Sequence, residues 1–309
     1  MTELDATPDI SGVRNSLTQV KDTAGTRAFR IVNGVILTVV SVVTLYPFLN
    51  IIAKAFSAEG EIAAGRVNVV PRGFNLTTFD AVMSDPTFWN DYKNTVVYTV
   101  VGTIISMILT TTFAYAISRP GLRGRSGFIG IAVFTMFFSG GLIPNYILVT
   151  QWLHMKNTIW AIVLPGALSV FNLLVMKSFF ENFPSELEEA AALDGMSIYG
   201  IFLRIVLPLS KPVIATMVLF YAVAQWNSWF GAFIYLDDKN LFPVMMYLRN
   251  LIAAASGAQE VTGSQTDAVQ IGANIQSVTM LLTVLPIMCV YPFIQKYFVS
   301  GIMLGSVKG

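Results

Sequence analysis

Charge is scarce in this chain: 12% of its 309 residues are Asp, Glu, Lys or Arg, about half the share of an ordinary soluble domain. A water-facing surface needs more, so the sequence does not describe a soluble enzyme. Nineteen basic against 18 acidic side chains leave a net charge of +1, which excludes the broad basic field that holds nucleic acid. A single cysteine, Cys289, rules out an internal disulfide framework. A single histidine, His154, leaves little material for a His-rich metal site or a Ser-His-Asp triad centred elsewhere; it reads as an outer-loop or interface residue, and Cys289 as packing. Apolar residues are what the chain has, at 54%, with a mean hydropathy of +0.64.

Position turns that scarcity into topology, because a charge at the bilayer centre costs about 2.5–3.5 kcal/mol on insertion scales. Six gaps between consecutive charges reach twenty residues or more: 31–53, 94–118, 126–155, 157–176, 212–236 and 268–295. Each is long enough to cross about 30 Å of hydrocarbon as helix. They predict an all-α integral membrane protein with six transmembrane helices. The third gap is the least regular, since Ser139-Gly140-Gly141 and Pro144 predict a kink or an end before Tyr146 to Trp152. Pro47, Pro165, Pro286 and Pro292 predict further kinks.

Lys and Arg in the connections orient the spans. With the amino terminus inside, twelve of the 19 fall on the cytoplasmic side, including Arg119, Arg123 and Arg125 in one short turn. Both termini are expected in the cytoplasm. The chain then divides into a tail (1–29), a six-helix transmembrane domain (30–296) and a second tail (297–309). Residues 1–26 lack the apolar core of a cleaved signal peptide, so the first span is expected to act as an uncleaved insertion signal. Two longer outer connections, 54–93 and 237–267, have room for interfacial helices, and 255–272 reads as flexible.

The cytoplasmic connection 181–212 carries its own helical punctuation. Ser185 and Glu188 form a capping-box pattern, Leu187, Ala190 and Ala191 share a face, and Gly195 is placed to close the helix in the left-handed conformation. Ser197 then caps a second helix with Ile198, Ile201, Phe202 and Ile205 as its stripe and Pro208 as its stop. Two readings are open, an amphipathic segment lying on lipid or a docking element. Glu181, Glu186, Glu188, Glu189 and Asp194 outnumber Lys177, Arg204 and Lys211, whereas lipid-surface helices present cations to anionic headgroups. The charges therefore favour a protein groove lined by basic side chains.

The residues Glu189-Ala190-Ala191, Asp194-Gly195, Ile205, Leu207-Pro208 and Pro212 resemble the EAA loop of bacterial ATP-binding-cassette (ABC) importer permeases. Phe138 to Pro144, Leu164-Pro165-Gly166-Ala167, Trp226-Asn227-Ser228-Trp229-Phe230 and Gly301 to Gly309 are similar to the MalG-like carbohydrate branch, in particular the polysaccharide, aldouronate and alginate-oligosaccharide subgroup. The resemblance implies an inner-membrane subunit forming half of a sugar pore by alternating access. Its partners would be a MalF-like second permease, two cytoplasmic ATPases, an extracytoplasmic sugar-binding protein, the oligosaccharide and membrane lipid. No Gly-x4-Gly-Lys-Ser/Thr phosphate cradle occurs at any lysine, so the chain is expected to be non-catalytic, with no cofactor or metal of its own, and ATP and Mg to reside on the partner ATPases.

The resemblance further implies that Glu186, Glu189, Ala190, Ala191, Asp194, Gly195 and Pro208 form the ATPase-coupling element, with Glu189 meeting an arginine. The carboxyl end is implied to reach the ATPases too. For the substrate path, polar and aromatic groups inside spans are the candidates: Phe171, Asn172, Tyr221, Gln225, Trp226, Asn227, Ser228 and Trp229. Tyr221, Gln225 and Ser228 fall on one helical face. An interfacial aromatic belt, or polar groups joining helices, remains the competing reading of these side chains. An ion-coupled carrier would need ionisable groups at the midplane, which the charge-free gaps do not supply, and an intramembrane enzyme would need a converging catalytic set. A permease for another small solute remains an alternative.

Overall fold

A computed structural model describes residues 24–261, 274–290 and 292, which are helical or irregular with no strand among them. Of the expected tails, 1–23 and 297–309 lie outside the described residues. Residues 24–29 instead begin the first helix, α1 (Ala24–Ala55). Only the last turns of α1 are buried against the rest of the fold; the remainder presents Ile31, Val35, Leu37, Val42 and Val43 outward, as a lipid-facing helix does. Its hydroxyls stay satisfied without neighbours: Thr38, Ser41 and Thr44 donate to the carbonyls of Gly34, Leu37 and Val40 one turn back.

The central element is α2 (Pro86–Ser118). Asp85 caps it by accepting from the Thr87 N–H at 2.8 Å, and Pro86 occupies the first turn, where a missing N–H costs nothing. Its buried face includes many small polar residues, among them Thr95, Thr103, Ser106, Thr110 and Thr111, which let neighbouring helices approach closely. Near its amino end, Asn94 donates to the carbonyls of Asn240 and Phe242, Tyr98 donates to Leu241, and Thr95 accepts from Val244 N–H at 2.7 Å. These bonds hold the start of the helix Val244–Val261 on α2; that helix takes in 255–261 of the stretch expected to be flexible, and 262–273 lies outside the described residues.

The remaining spans are broken. α3 (Arg125–Phe137) is followed by Ser139-Gly140-Gly141, with Gly141 at φ +90°, and then by Leu142–Ile147 and a π-turn over Leu148–Trp152, so the pair bends by 112°. The break expected there falls at the glycines, while Pro144 sits harmlessly in a first turn. The gap 157–176 is not one continuous helix, which corrects the sequence expectation. It forms Ile159–Val163, an interruption around Pro165-Gly166, and α4 (Val170–Glu181). Pro165 has no N–H for the carbonyl one turn back, and Ser169 restarts the helix by accepting from Asn172 N–H.

The connecting loop supplies α5 (Ser185–Leu193) and α6 (Ile198–Ile201). A π-turn over Phe202–Val206 and a short turn Leu207–Leu209 then lead, through an 82° bend at Ser210, into α7 (Lys211–Trp226). Pro208 was expected to stop the second helix; helical turns continue through it to Leu209. It cannot donate into the preceding turn, where the wider π register carries the chain. The chain then breaks at 227–229, and Phe230–Tyr235 and α8 (Asn274–Val290) complete the bundle. By length and apolarity alone, two of the described helices cross a membrane unaided, or up to four if each bent pair is one span. The fold is thus all-helical with apolar spans, and the uniform six-helix pattern is interrupted by glycine and proline.

Candidate functional site

Two regions concentrate the candidate residues. The first is the loop. Gly195 adopts φ +80°, its N–H bonds to Ala192 O, and Met196 N–H bonds to Ala191 O at 3.0 Å. This is a Schellman closure of α5, the stop expected from the sequence. Ser197 caps α6 through Gly200 N–H at 3.3 Å, also as expected.

The start of α5 differs from expectation. Pro184 occupies the N-cap with no side-chain bond, and the Ser185–Glu188 capping box does not form. Glu188 turns inward instead, its Oε1 2.8 Å from Arg119 Nη1, with the two side chains 14% and 28% exposed. Tyr115 donates its hydroxyl to the other carboxylate oxygen at 3.3 Å, and the Arg119 guanidinium sits 4.4 Å above the Tyr115 ring. A charged partner in a half-buried site outcompetes a solvent-exposed backbone N–H. Leu187, Ala190 and Ala191, expected on one face with both alanines at the ATPase contact, are separated: Leu187 and Ala190 lie at the surface, while Ala191 is buried in the core with Tyr115, Phe180 and Phe202. Of the stripe expected on the second helix, Ile201 and, at the start of the π-turn, Phe202 are buried, while Ile198 is exposed.

Of the acidic cluster, Glu181 is also held internally, by Lys177 at 2.8 Å and by Arg125, whose Nε donates to Ile117 O. Glu186, Glu189, Ala190, Asp194 and Gly195 remain on the surface. No ion pair involves those three carboxylates among the described residues. Beside them Leu193 is 91% exposed and Tyr199 80% exposed. The exposed side chains of this loop are thus both apolar and anionic.

The second region is an open cavity of about 980 Å³ between α4, α7 and the segment 228–235. Phe171, Asn172, Tyr221, Gln225 and Ser228 line it, as do Ser169, Gly231 and Tyr235, which the sequence did not single out; no lining residue is charged. Tyr221 has its hydroxyl bound within the protein, 2.6 Å from Thr110 Oγ1 and accepting from Ser169 N–H at 3.1 Å. It therefore satisfies a backbone donor freed by the break after Pro165. Gln225 lies against Gly102: a Cβ there would come within 2.8 Å of its amide. The lack of a side chain on α2 makes room for this polar group.

Trp226, Asn227 and Trp229 do not line the cavity. Trp226 donates its indole N–H to Thr283 O at 3.0 Å and meets Tyr92 edge-on, fixing α7 to α8 and α2. Asn227 donates its side-chain amide to Val223 O. Trp229 lies beneath the Arg249 guanidinium. Between the connections at 154–158 and 236–239, Lys156 is 2.7 Å from Asp237, whose hydrogen bond and charge raise the lysine's pKa, and Asn157 Oδ1 accepts from the N–H groups of Asp237 and Asp238. His154 makes the backbone turn there at φ +50°.

No family model matches the sequence. The chain is 41% identical to protein LplC of Bacillus subtilis over 288 residues, covering 93% of this chain and 97% of that one. It is 39% identical to the polygalacturonan/rhamnogalacturonan transport system permease protein YtcP of the same organism, covering 87% and 94%. Among solved structures it resembles a chain of a bacterial ABC transporter involved in the import of the acidic polysaccharide alginate, with 31% identity, a TM-score of 0.79 and coverage of 89% and 98%. With apolar helices, a broken-helix cavity and near full-length similarity to these proteins, the chain belongs to the permease subunits of sugar-importing ABC transporters.

Proposed function

We propose that this chain forms half of the translocation pore of an ATP-driven importer of uronate-containing oligosaccharides, pairing with a second permease and receiving cargo from an extracytoplasmic binding protein. All six apolar gaps then contribute to membrane crossing, the broken ones as bent or half spans, with both termini cytoplasmic. Two partner ATPases bind ATP and Mg. The surface of α5 and α6 is the coupling element: Leu193 and Tyr199 insert into an ATPase groove, Glu186, Glu189 and Asp194 meet its basic rim, and Ala190 keeps the approach close. The observation that supports this most is the division of the acidic cluster. Glu181 and Glu188 are consumed within the fold, and the remaining carboxylates are exposed on the same two-helix loop as the exposed Leu193 and Tyr199.

Acidic saccharide as cargo rests on the names of relatives that handle polygalacturonan and alginate. In the cavity, aromatic faces from Phe171 and Tyr235 and amides from Asn172 and Gln225 provide stacking and hydrogen bonding for sugar rings. The test is reconstitution of the assembled complex in proteoliposomes with its binding protein. Glu189→Lys is expected to abolish ATP hydrolysis stimulated by the loaded binding protein while the four-subunit core still copurifies. An unaffected rate overturns the coupling role of this surface.

A further inference from the structure

The cavity carries no charge, yet an acidic sugar needs a counter-charge wherever it leaves bulk water. Ser228, Gly231 and Tyr235 present one face of the segment 228–235 to the cavity. Trp229 and Phe233, also one turn apart, present another. Arg249 lies over that second face, its guanidinium carbon 4.0 Å from the Phe233 ring centre and 5.5 Å from that of Trp229. It is half-buried, donates weakly to Asn250 Oδ1 at 3.4 Å, and has no carboxylate within 4.0 Å among the described residues. The two rings are 39% and 46% exposed.

From this arrangement we infer that Arg249, Trp229 and Phe233 form a uronate-binding subsite at the extracytoplasmic mouth of the path, where the acidic oligosaccharide is received before it enters the uncharged cavity. The inference rests on the permease reading above and adds the residues that select for charge. Its physical basis is a division of roles within one cluster. Stacking on the rings fixes the plane of the guanidinium and partly compensates its desolvation, leaving N–H edges directed away from the rings for a carboxylate in paired hydrogen bonds. The exposed aromatic surface beside it accepts the apolar face of a pyranose. A neutral sugar meets only the rings, so the cation distinguishes uronate from hexose.

The experiment uses the full complex in proteoliposomes with its binding protein, and measures sugar imported per ATP hydrolysed for trigalacturonate, an alginate trisaccharide and a neutral arabinotriose. The parent complex is expected to import at least one of the two acidic probes. Arg249→Gln is expected to lower acidic sugar imported per ATP at least tenfold, with Arg249→Lys intermediate because it retains charge without the planar fork. If Arg249 merely clamps Val244–Val261 to the aromatic face, uptake and hydrolysis fall together and the ratio is kept, which overturns the subsite. An unchanged ratio with unchanged uptake overturns it as well. Import of the neutral probe alone by the parent overturns the acidic-cargo inference while leaving the permease reading standing, and import of none overturns both.

Discussion

Arg119, at the carboxyl end of the long central helix, holds Glu188 of the loop helix at 2.8 Å, with Tyr115 beneath the guanidinium and bonded to the same carboxylate. The loop surface is thereby attached to the helix that packs against α4 and α7. Under the coupling proposed above, a push on α5 would reach α2 through this joint as well as through the chain. Removing one partner of a pair this poorly exposed is expected to cost about 1.5–3 kcal/mol, the range of a hydrogen bond to a charged group. Glu188→Gln is accordingly predicted to lower the melting temperature of the detergent-solubilised complex and to lower sugar imported per ATP. The exchange Arg119→Glu with Glu188→Arg is predicted to recover much of both; no recovery in the double variant means the pair is not the joint.

Gly195 offers a sharper separation of backbone from surface. Nothing lies within 4 Å of a Cβ built there, so only its φ of +80° resists substitution. Gly195→Ala should therefore cost about 1 kcal/mol by strain alone, and Gly195→Asn, which tolerates that region, less. The predicted order of stimulated ATP hydrolysis is glycine, asparagine, alanine, valine. Equal activity in all four would show that the turn's conformation does not matter to coupling.

Tyr221→Phe removes an acceptor from Ser169 N–H and a partner from Thr110 at once. A loss of about 1–3 kcal/mol is expected, because a backbone donor is left unpaired away from water. Thermal unfolding in detergent reads this directly. Transport should fall less than in Gln225→Ala, whose side chain lines the cavity beside Gly102. A larger transport loss in Tyr221→Phe with undiminished stability would assign Tyr221 to the sugar rather than to the break.

Acid sensitivity is predicted at the amino end of α2. Burial works against the Asp85 charge, but hydrogen bonds from Tyr247 at 2.8 Å and from the N–H groups of Thr87 and Phe88 prevail and lower its pKa below the ordinary value. Tyr247 is raised by burial and by that carboxylate, so it remains a donor. A depressed carboxylate stabilises the fold fully above its unfolded pKa of about 3.9 and loses that contribution as pH falls through the lower folded value. Melting temperatures measured from pH 6 down to pH 3 should drop below about pH 4, and Asp85→Asn should flatten that drop. An identical profile in the variant would place the acid-labile group elsewhere.

Some of this architecture was legible residue by residue. The glycine run at 139–141, the stop at Gly195 and the cap at Ser197 depend on a few adjacent residues and came out as expected. A kink at Pro165 was legible, but a full interruption between Ile159–Val163 and α4 was not, because the backbone donor it frees at Ser169 is satisfied by Tyr221, itself bonded to Thr110, from two other helices. The inward turn of Glu188 was hidden for the same reason: its partner is on α2, while the local pattern offered a plausible cap. Arg249 was counted only as an outer charge, and nothing nearby in sequence announces that it lies over Trp229 and Phe233.

By itself the sequence determined that the chain is helical, apolar in long charge-free stretches, and furnished with an acidic helical loop, since each of these follows from local composition and the cost of placing charge in hydrocarbon. Which carboxylates are spent inside the fold, which polar side chains mend broken helices and which border a cavity were decided only in three dimensions. Ion pairs and hydrogen bonds between distant segments depend on distances of 3 Å or so. Periodicity along one helix specifies a face; the neighbour that occupies it is supplied by packing.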